Sequence, residues 1–194
     1  MALITGAYLN QQASQKTFSA NERLMFENKS DTYGFDIFLS HSFLDRQKVQ
    51  GLFNLLTSLG YTVYVDWICD PQLNRNDVTK ATAELVRKRM KASKSLLLAI
   101  STNAALSKWI PWELGYIDGH INKCAIVPVS DDSVVPKQFH RAEYLSLYPY
   151  IKRATINFRE GLYLVESGNI YISIDGWLKR NLNPLYESVN IDNI

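Results

Sequence analysis

Between residues 35 and 129 the chain switches repeatedly between short apolar runs and apolar residues at helical spacing. Phe35-Asp36-Ile37-Phe38-Leu39 is a run of the kind a buried strand needs. Ser42 then stands where a helix cap is wanted, with Asp45 three positions on. Val49, Leu52, Phe53, Leu56 and Leu59 recur at helical spacing, and Gly60 supplies the stop. Tyr61-Thr62-Val63-Tyr64-Val65 is β-branched and aromatic, a second strand. A loop of Asp, Pro and Asn covers 66–76. The spacing of Val78, Ala81 and Leu85 predicts a helix from about Asp77 to Met90. Leu96-Leu97-Leu98-Ala99-Ile100 is continuously apolar, as a central parallel strand covered on both faces must be. A further helix opens at Pro111. A fourth strand follows at Ala125-Ile126-Val127-Pro128-Val129, where Pro128, with no ladder donor, predicts an edge position or a strand end.

Strand and helix alternate, which predicts a parallel sheet wrapped by helices in a flavodoxin-like or Rossmann-like order. Residues 1–32 read as a polar lead-in, with a short helix expected at Ser19–Asn28. Beyond about Pro136 the rhythm fails. A fifth strand is expected at Tyr144–Leu147. A hairpin is expected from 162–165 and 170–174 about Ser167-Gly168-Asn169, and Asp175 is expected to cap a last helix through Trp177 and Leu178. The predicted organisation is a lead-in at 1–32, an α/β domain at 33–150 and a C-terminal extension at 151–194 packed on it.

Composition narrows the chemistry. With 46% hydrophobic and 21% charged residues, a real core is feasible. A net charge of +2, from 21 basic and 19 acidic side chains, leaves no electrostatic footprint for nucleic acid or an anionic membrane. No apolar stretch approaches a membrane span, and Met1–Asn10 lacks the features of a signal peptide. Cys69 and Cys124 stand in neither metal-ligand nor disulfide-framework spacing, so reduced thiols in a cytoplasmic protein are expected. No Gly-rich phosphate loop follows any strand, and neither H-E-x-x-H nor G-x-S-x-G occurs. Ordinary dehydrogenases and P-loop NTPases are thereby excluded, and no metal is expected.

Open parallel sheets bind ligands beyond the carboxyl ends of their strands. Those exits here are Ser40-His41-Ser42, Asp66-Trp67 and Ser101-Thr102-Asn103, all polar. In Ser107-Lys108-Trp109-Ile110-Pro111-Trp112-Glu113-Leu114-Gly115, Pro111 favours the first helical position and so puts Glu113 in the first turn. The helix macrodipole alone would favour an acid there. Two neighbouring tryptophans add partial desolvation, the mark of a functional carboxylate, although Trp109 suits the core equally well and Trp112 suits it better. Arg87, Lys88, Arg89 and Lys91 end a predicted helix and read as a solvated face.

These residues resemble a known family. Phe35–Ser42 looks like the opening strand of Toll/interleukin-1-receptor (TIR) domains, and Tyr61–Asp66 resembles their second strand, before a long assembly loop. Ser93–Ser101 resembles the third strand and Ala125–Val129 the fourth. Trp109-x-x-x-Glu113 resembles the tryptophan and glutamate pair of NAD-cleaving members. The likeness spans 34–150. It implies a flavodoxin-like TIR fold with helices on both faces of the sheet, and it points to the stand-alone TIR proteins of the Thoeris anti-phage defence system. It also implies NAD as substrate with no further cofactor, Glu113 as the catalytic group, and Ser40, His41, Asp66 and Trp109 as substrate-binding residues. A cyclic ADP-ribose product acting on a separate effector, and self-association through 66–77, belong to the same expectation. Two positions depart from the family pattern. His41-Ser42 replaces a basic residue, which shifts phosphate contacts to Arg46, Lys108 or backbone amides, and only Asp70 offers an acid in the loop. The rivals are a non-catalytic TIR scaffold, a nucleoside-processing transferase and a receiver domain; the last lacks its acidic pair at Ser40-His41.

Overall fold

A computed structural model describes residues 3–15, 34–73, 78–101, 103–104, 107–130, 143–156, 159–167 and 170–180. The helix expected at 19–28 and the hairpin turn at 168–169 lie outside them. One sheet runs through the molecule. Its strands are β1 (Ile4–Thr5), β2 (Ile37–Ser40), β3 (Val63–Tyr64), β4 (Leu96–Ile100), β5 (Cys124–Ser130), β6 (Tyr150–Ile156), β7 (Arg159–Ser167) and β8 (Ile170–Ser173). The order is β3-β2-β4-β5-β6-β7-β8, with β1 also on β5. Pairing is parallel from β3 to β6 and antiparallel across β6, β7 and β8.

The helices are α1 (Gly6–Gln15), α2 (Arg46–Ser58), α3 (Asp66–Cys69), α4 (Lys80–Lys91), α5 (Ile110–Ile121) and α6 (Ile174–Lys179). Right-handed crossovers require α2 on one face and α4 and α5 on the other. The chain leaves β2 toward β3 on one side and β4 toward β5 on the other. The switch point, where such sheets open a ligand crevice, therefore lies between β2 and β4. Ile37, Phe38, Leu39 and Leu96–Leu98 are buried there, the double-sided burial their unbroken apolar runs require. No helix among the described residues is long and apolar enough to cross a membrane.

Several expectations need correction. The lead-in is part of the fold over its first residues: β1 pairs with the end of β5, and α1 packs on α2 across Gly51. β5 is interior and passes through Pro128. The Ile126 N–H points at β6, bonding Pro149 O at 2.8 Å, and two residues on Pro128 faces the same side. Its missing donor falls where pairing changes from β6 at Ile126 to β1 at Val129, so no ladder bond is lost. The fifth strand is Tyr150–Ile156, while Glu143–Leu147 forms a 3-10 turn. The expected boundary at 150 thus falls within one continuous sheet. α4 starts at Lys80, capped reciprocally by Thr79 and Thr82, and buries Val86 and Met90 rather than Val78 and Ala81. Ser173 caps α6 by accepting the Gly176 N–H, whereas Asp175 accepts the Tyr61 hydroxyl at 2.5 Å. Leu59 is exposed beyond the end of α2, and Gly60, at φ 89°, makes the stop.

Candidate active site

Glu113 sits in the first turn of α5, with its N–H bonded to Trp109 O at 2.9 Å. Pro111 lies one position inside the helix start, where an N–H would have no intrahelical partner. The turn aims the carboxylate at the end of β2. Ser40 Oγ donates to Glu113 Oε2 at 2.5 Å, a charge-assisted bond between two buried groups. Glu113 is 1% exposed. The carboxylate at the strand exits is therefore closed off from solvent.

His41 and Asp66 join the same rim. His41 Nδ1 is 2.8 Å from Leu39 O, and Nε2 is 3.4 Å from Asp66 Oδ1, with side-chain exposures of 3% and 9%. Asp66 Oδ1 also accepts the Trp67 backbone N–H at 2.7 Å. Burial pulls the His41 imidazole downward in pKa. Asp66, the Leu39 carbonyl and the Glu113 charge together outweigh that pull and set it above the ordinary value. Trp109 is half-buried and meets Trp112 edge-on at 5.6 Å, so it walls the helix start one turn before Glu113.

The structure thus gathers Ser40, His41, Asp66 and Glu113 and sets Trp109 beside them. Other candidates go elsewhere. Asp70 is buried in a bidentate pair with Arg89, at 2.9 and 2.7 Å, and takes the Tyr64 hydroxyl at 2.9 Å. It is a structural tie, and Arg89 leaves the solvated face expected of it. Lys108 is exposed. Arg46 lies over the Trp67 ring at 4.5 Å and near Phe43 at 5.7 Å.

Ser42 makes no side-chain cap, and Asp45 turns inward to accept the Ser101 hydroxyl and Asn103 Nδ2, the latter at 2.9 Å. This clasp joins the turn after β2 to the exit of β4 across the switch point. Sequence reasoning missed it. The signal available was the polar exit Ser101-Thr102-Asn103, which lacked a partner in the linear reading. Beside the clasp lies a shallow recess floored by Val49, Leu52, Ala99 and Val129. It belongs to the α2 side of the sheet, and Glu113 does not line it.

Residues 38–133 match a family model described as "Thoeris protein ThsB, TIR-like domain". A Bacillus cereus (strain MSX-D12) protein named "Probable 3' cyclic ADP-D-ribose synthase ThsB'" is 46% identical over 158 residues, which cover 80% of this chain and 81% of that protein. A Cytobacillus dafuensis protein named "Putative cyclic ADP-D-ribose synthase TIR2" is 28% identical over 96 residues, 49% of this chain and 25% of that protein. A parallel sheet with a buried acid at its switch point, joined to this degree of identity over most of both chains, places the protein: it belongs to the TIR-domain ThsB family of the Thoeris system.

Proposed function

We propose that the chain cleaves the nicotinamide–ribose bond of NAD and closes the remaining ADP-ribose into a cyclic nucleotide signal for antiviral defence, with Glu113 as the catalytic carboxylate. The observation that carries this reading is the Ser40–Glu113 pair at the β2–β4 crevice. The names of the relatives, cyclic ADP-D-ribose synthases, support the same reaction.

As the C–N bond breaks, nicotinamide leaves with the bonding electrons and positive charge builds on the sugar. Nicotinamide is already a good leaving group, so the step calls for no metal or cofactor. A carboxylate held in place before the reaction stabilises the charged state more than the ground state, which is what acceleration requires. Ser40 holds Glu113 in one orientation at no reorganisation cost during the step. Trp109, half-buried one turn before Glu113, shapes the approach to the carboxylate. The centre is buried at Ser40, His41 and Glu113, and such a centre excludes water. Attack by the substrate's own nucleophile is then favoured over hydrolysis.

In this reading the released nucleotide acts on a separate effector. The protein works in the cytoplasm, in keeping with the unbridged Cys69 and Cys124. Copies associate through the segment after β3, and Phe43 and Leu44 in the turn after β2 are 62% and 64% exposed.

The test is incubation with NAD, with and without extract of infected cells, followed by product mass and retention. Glu113→Gln is expected to fold as the parent does and to consume NAD about 10²–10³-fold more slowly. Equal consumption by the two proteins overturns the assignment.

A further inference from the structure

Asp45 stands at the N-cap position of α2, where an acid ordinarily accepts N–H bonds from the first turn of its helix. It makes no such cap. Its side chain is buried and turned the other way, across the switch point. Oδ2 accepts the Ser101 hydroxyl, and Oδ1 accepts Asn103 Nδ2 at 2.9 Å. The two donors lie 56 and 58 residues further along the chain, just past the end of β4. A cap would have stabilised α2 alone, whereas this clasp fixes one strand exit against another.

From the clasp, hydrogen bonds continue along the connection to α5. Ser101 Oγ accepts the Asn103 N–H at 3.0 Å, and Ser101 O accepts the Ala104 N–H at 3.2 Å. Ala104 O accepts the Ser107 N–H at 3.1 Å. Ser107 Oγ accepts the Ile110 N–H at 3.4 Å, where α5 begins. The first turn then closes with the Glu113 N–H on Trp109 O. The connection is thus held by Asp45 at one end and delivers Glu113 at the other. Asp45 itself follows closely on Ser40, with its N–H bonded to Ser42 O at 3.0 Å. The clasp therefore ties together the two segments that carry the partners of the Ser40–Glu113 bond. A shift of about 1 Å in a reacting group can cost about 10²-fold in rate, so the fixing of this connection bears on turnover.

We propose that Asp45 is a positioning residue for Glu113: by clasping Ser101 and Asn103 it fixes the connection from β4 to α5, and with it the reach of the Glu113 carboxylate to Ser40. It acts through the loop and not on the substrate. The kinetic part rests on the NAD-cleaving reading, and the geometric part is independent of turnover.

Asp45→Ala severs both arms of the clasp without uncapping α2, which has no side-chain cap to lose. Its kcat for NAD is expected to fall about tenfold to a hundredfold, with KM changed less than about threefold. Asp45→Asn keeps an acceptor for Asn103 and offers an amide N–H to Ser101 Oγ, so it is expected to recover most of that loss. Asn103→Ala removes one arm. It is expected to lower kcat by itself, and to add nothing in the Asp45→Ala background. A raised KM at unchanged kcat, equal losses in Asp45→Asn and Asp45→Ala, or additive losses on combination overturns the proposal. Should Asp45→Ala not fold, Asn103→Ala decides, and an unchanged kcat in it overturns the proposal.

The second measurement, amide exchange followed by NMR, needs no substrate. In Asp45→Ala, or in Asn103→Ala in its place, exchange is expected to quicken about tenfold at Ile110 and Glu113. Ile126, bonded to Pro149 O within the sheet, is expected to keep the parent's rate. Unchanged rates at Ile110 and Glu113, or an equal quickening at Ile126, overturn the proposal. If the parent never consumes NAD, the proposed function falls, and amide exchange still decides the clasp.

Discussion

Ser40 and Glu113 lie 73 residues apart in the chain, yet one hydrogen bond joins them. Each was legible for a local reason: Ser40 ends an apolar strand, and Pro111 starts the helix that carries Glu113. Their pairing was not, because it depends on which face of the sheet α5 covers. His41 shows the same division at the level of charge. Its place at a strand exit could be read, but its raised pKa follows from Asp66 and Leu39 O closing on its two nitrogens. That shift has a consequence for stability. A histidine whose folded pKa is raised contributes fully below its unfolded value, about 6.5, and loses the contribution as pH rises through the folded one. Urea midpoints of the parent are therefore expected to fall between neutral and alkaline pH, and those of His41→Gln to fall less. Parallel slopes in the two proteins would show that His41 is neutral in the fold.

Among the elements, α2 is the clearest case of a correct outline with an unforeseen neighbour. Its sheet-facing residues, Val49, Leu52, Phe53 and Leu56, are buried as their spacing dictates. Gly51 and Asn54 are buried as well, because α1 lies across them and Asn54 Nδ2 bonds Gln12 O at 3.0 Å. A Cβ at Gly51 would stand 1.9 Å from Leu9 O, a backbone atom that cannot swing aside. Gly51→Ala is accordingly expected to destabilise the protein by about 1–3 kcal/mol, read from denaturant midpoints. An unchanged midpoint would mean that α1 does not dock there. α3 was hidden for a related reason. Asp66–Cys69 falls in a run whose polar residues suggest a loop, and it is held by the buried Asp70–Arg89–Tyr64 tie rather than by any periodicity of its own.

For the molecule as a whole, the N-terminal residues complete the sheet and the α2 layer. Leu3, Ile4 and Leu9 are buried. Burying three such side chains contributes roughly 5 kcal/mol. A chain lacking residues 1–15 is therefore expected to melt about 10 °C lower or more, with calorimetry as the check. An equal melting point would make this segment a mere appendage. The apolar runs and helical spacings between 35 and 129 were enough to specify an α/β sheet, its strand exits and an acid in the first turn of α5. These are properties of neighbouring residues, and backbone geometry translates them directly into local structure. The choice of partners lay beyond that reading: β1 on β5, Asp45 on Ser101, Arg89 on Asp70, and His41 on Asp66. Each of these joins residues remote in the chain, and only strand order and burial bring them within the few ångströms over which hydrogen bonds and charges act.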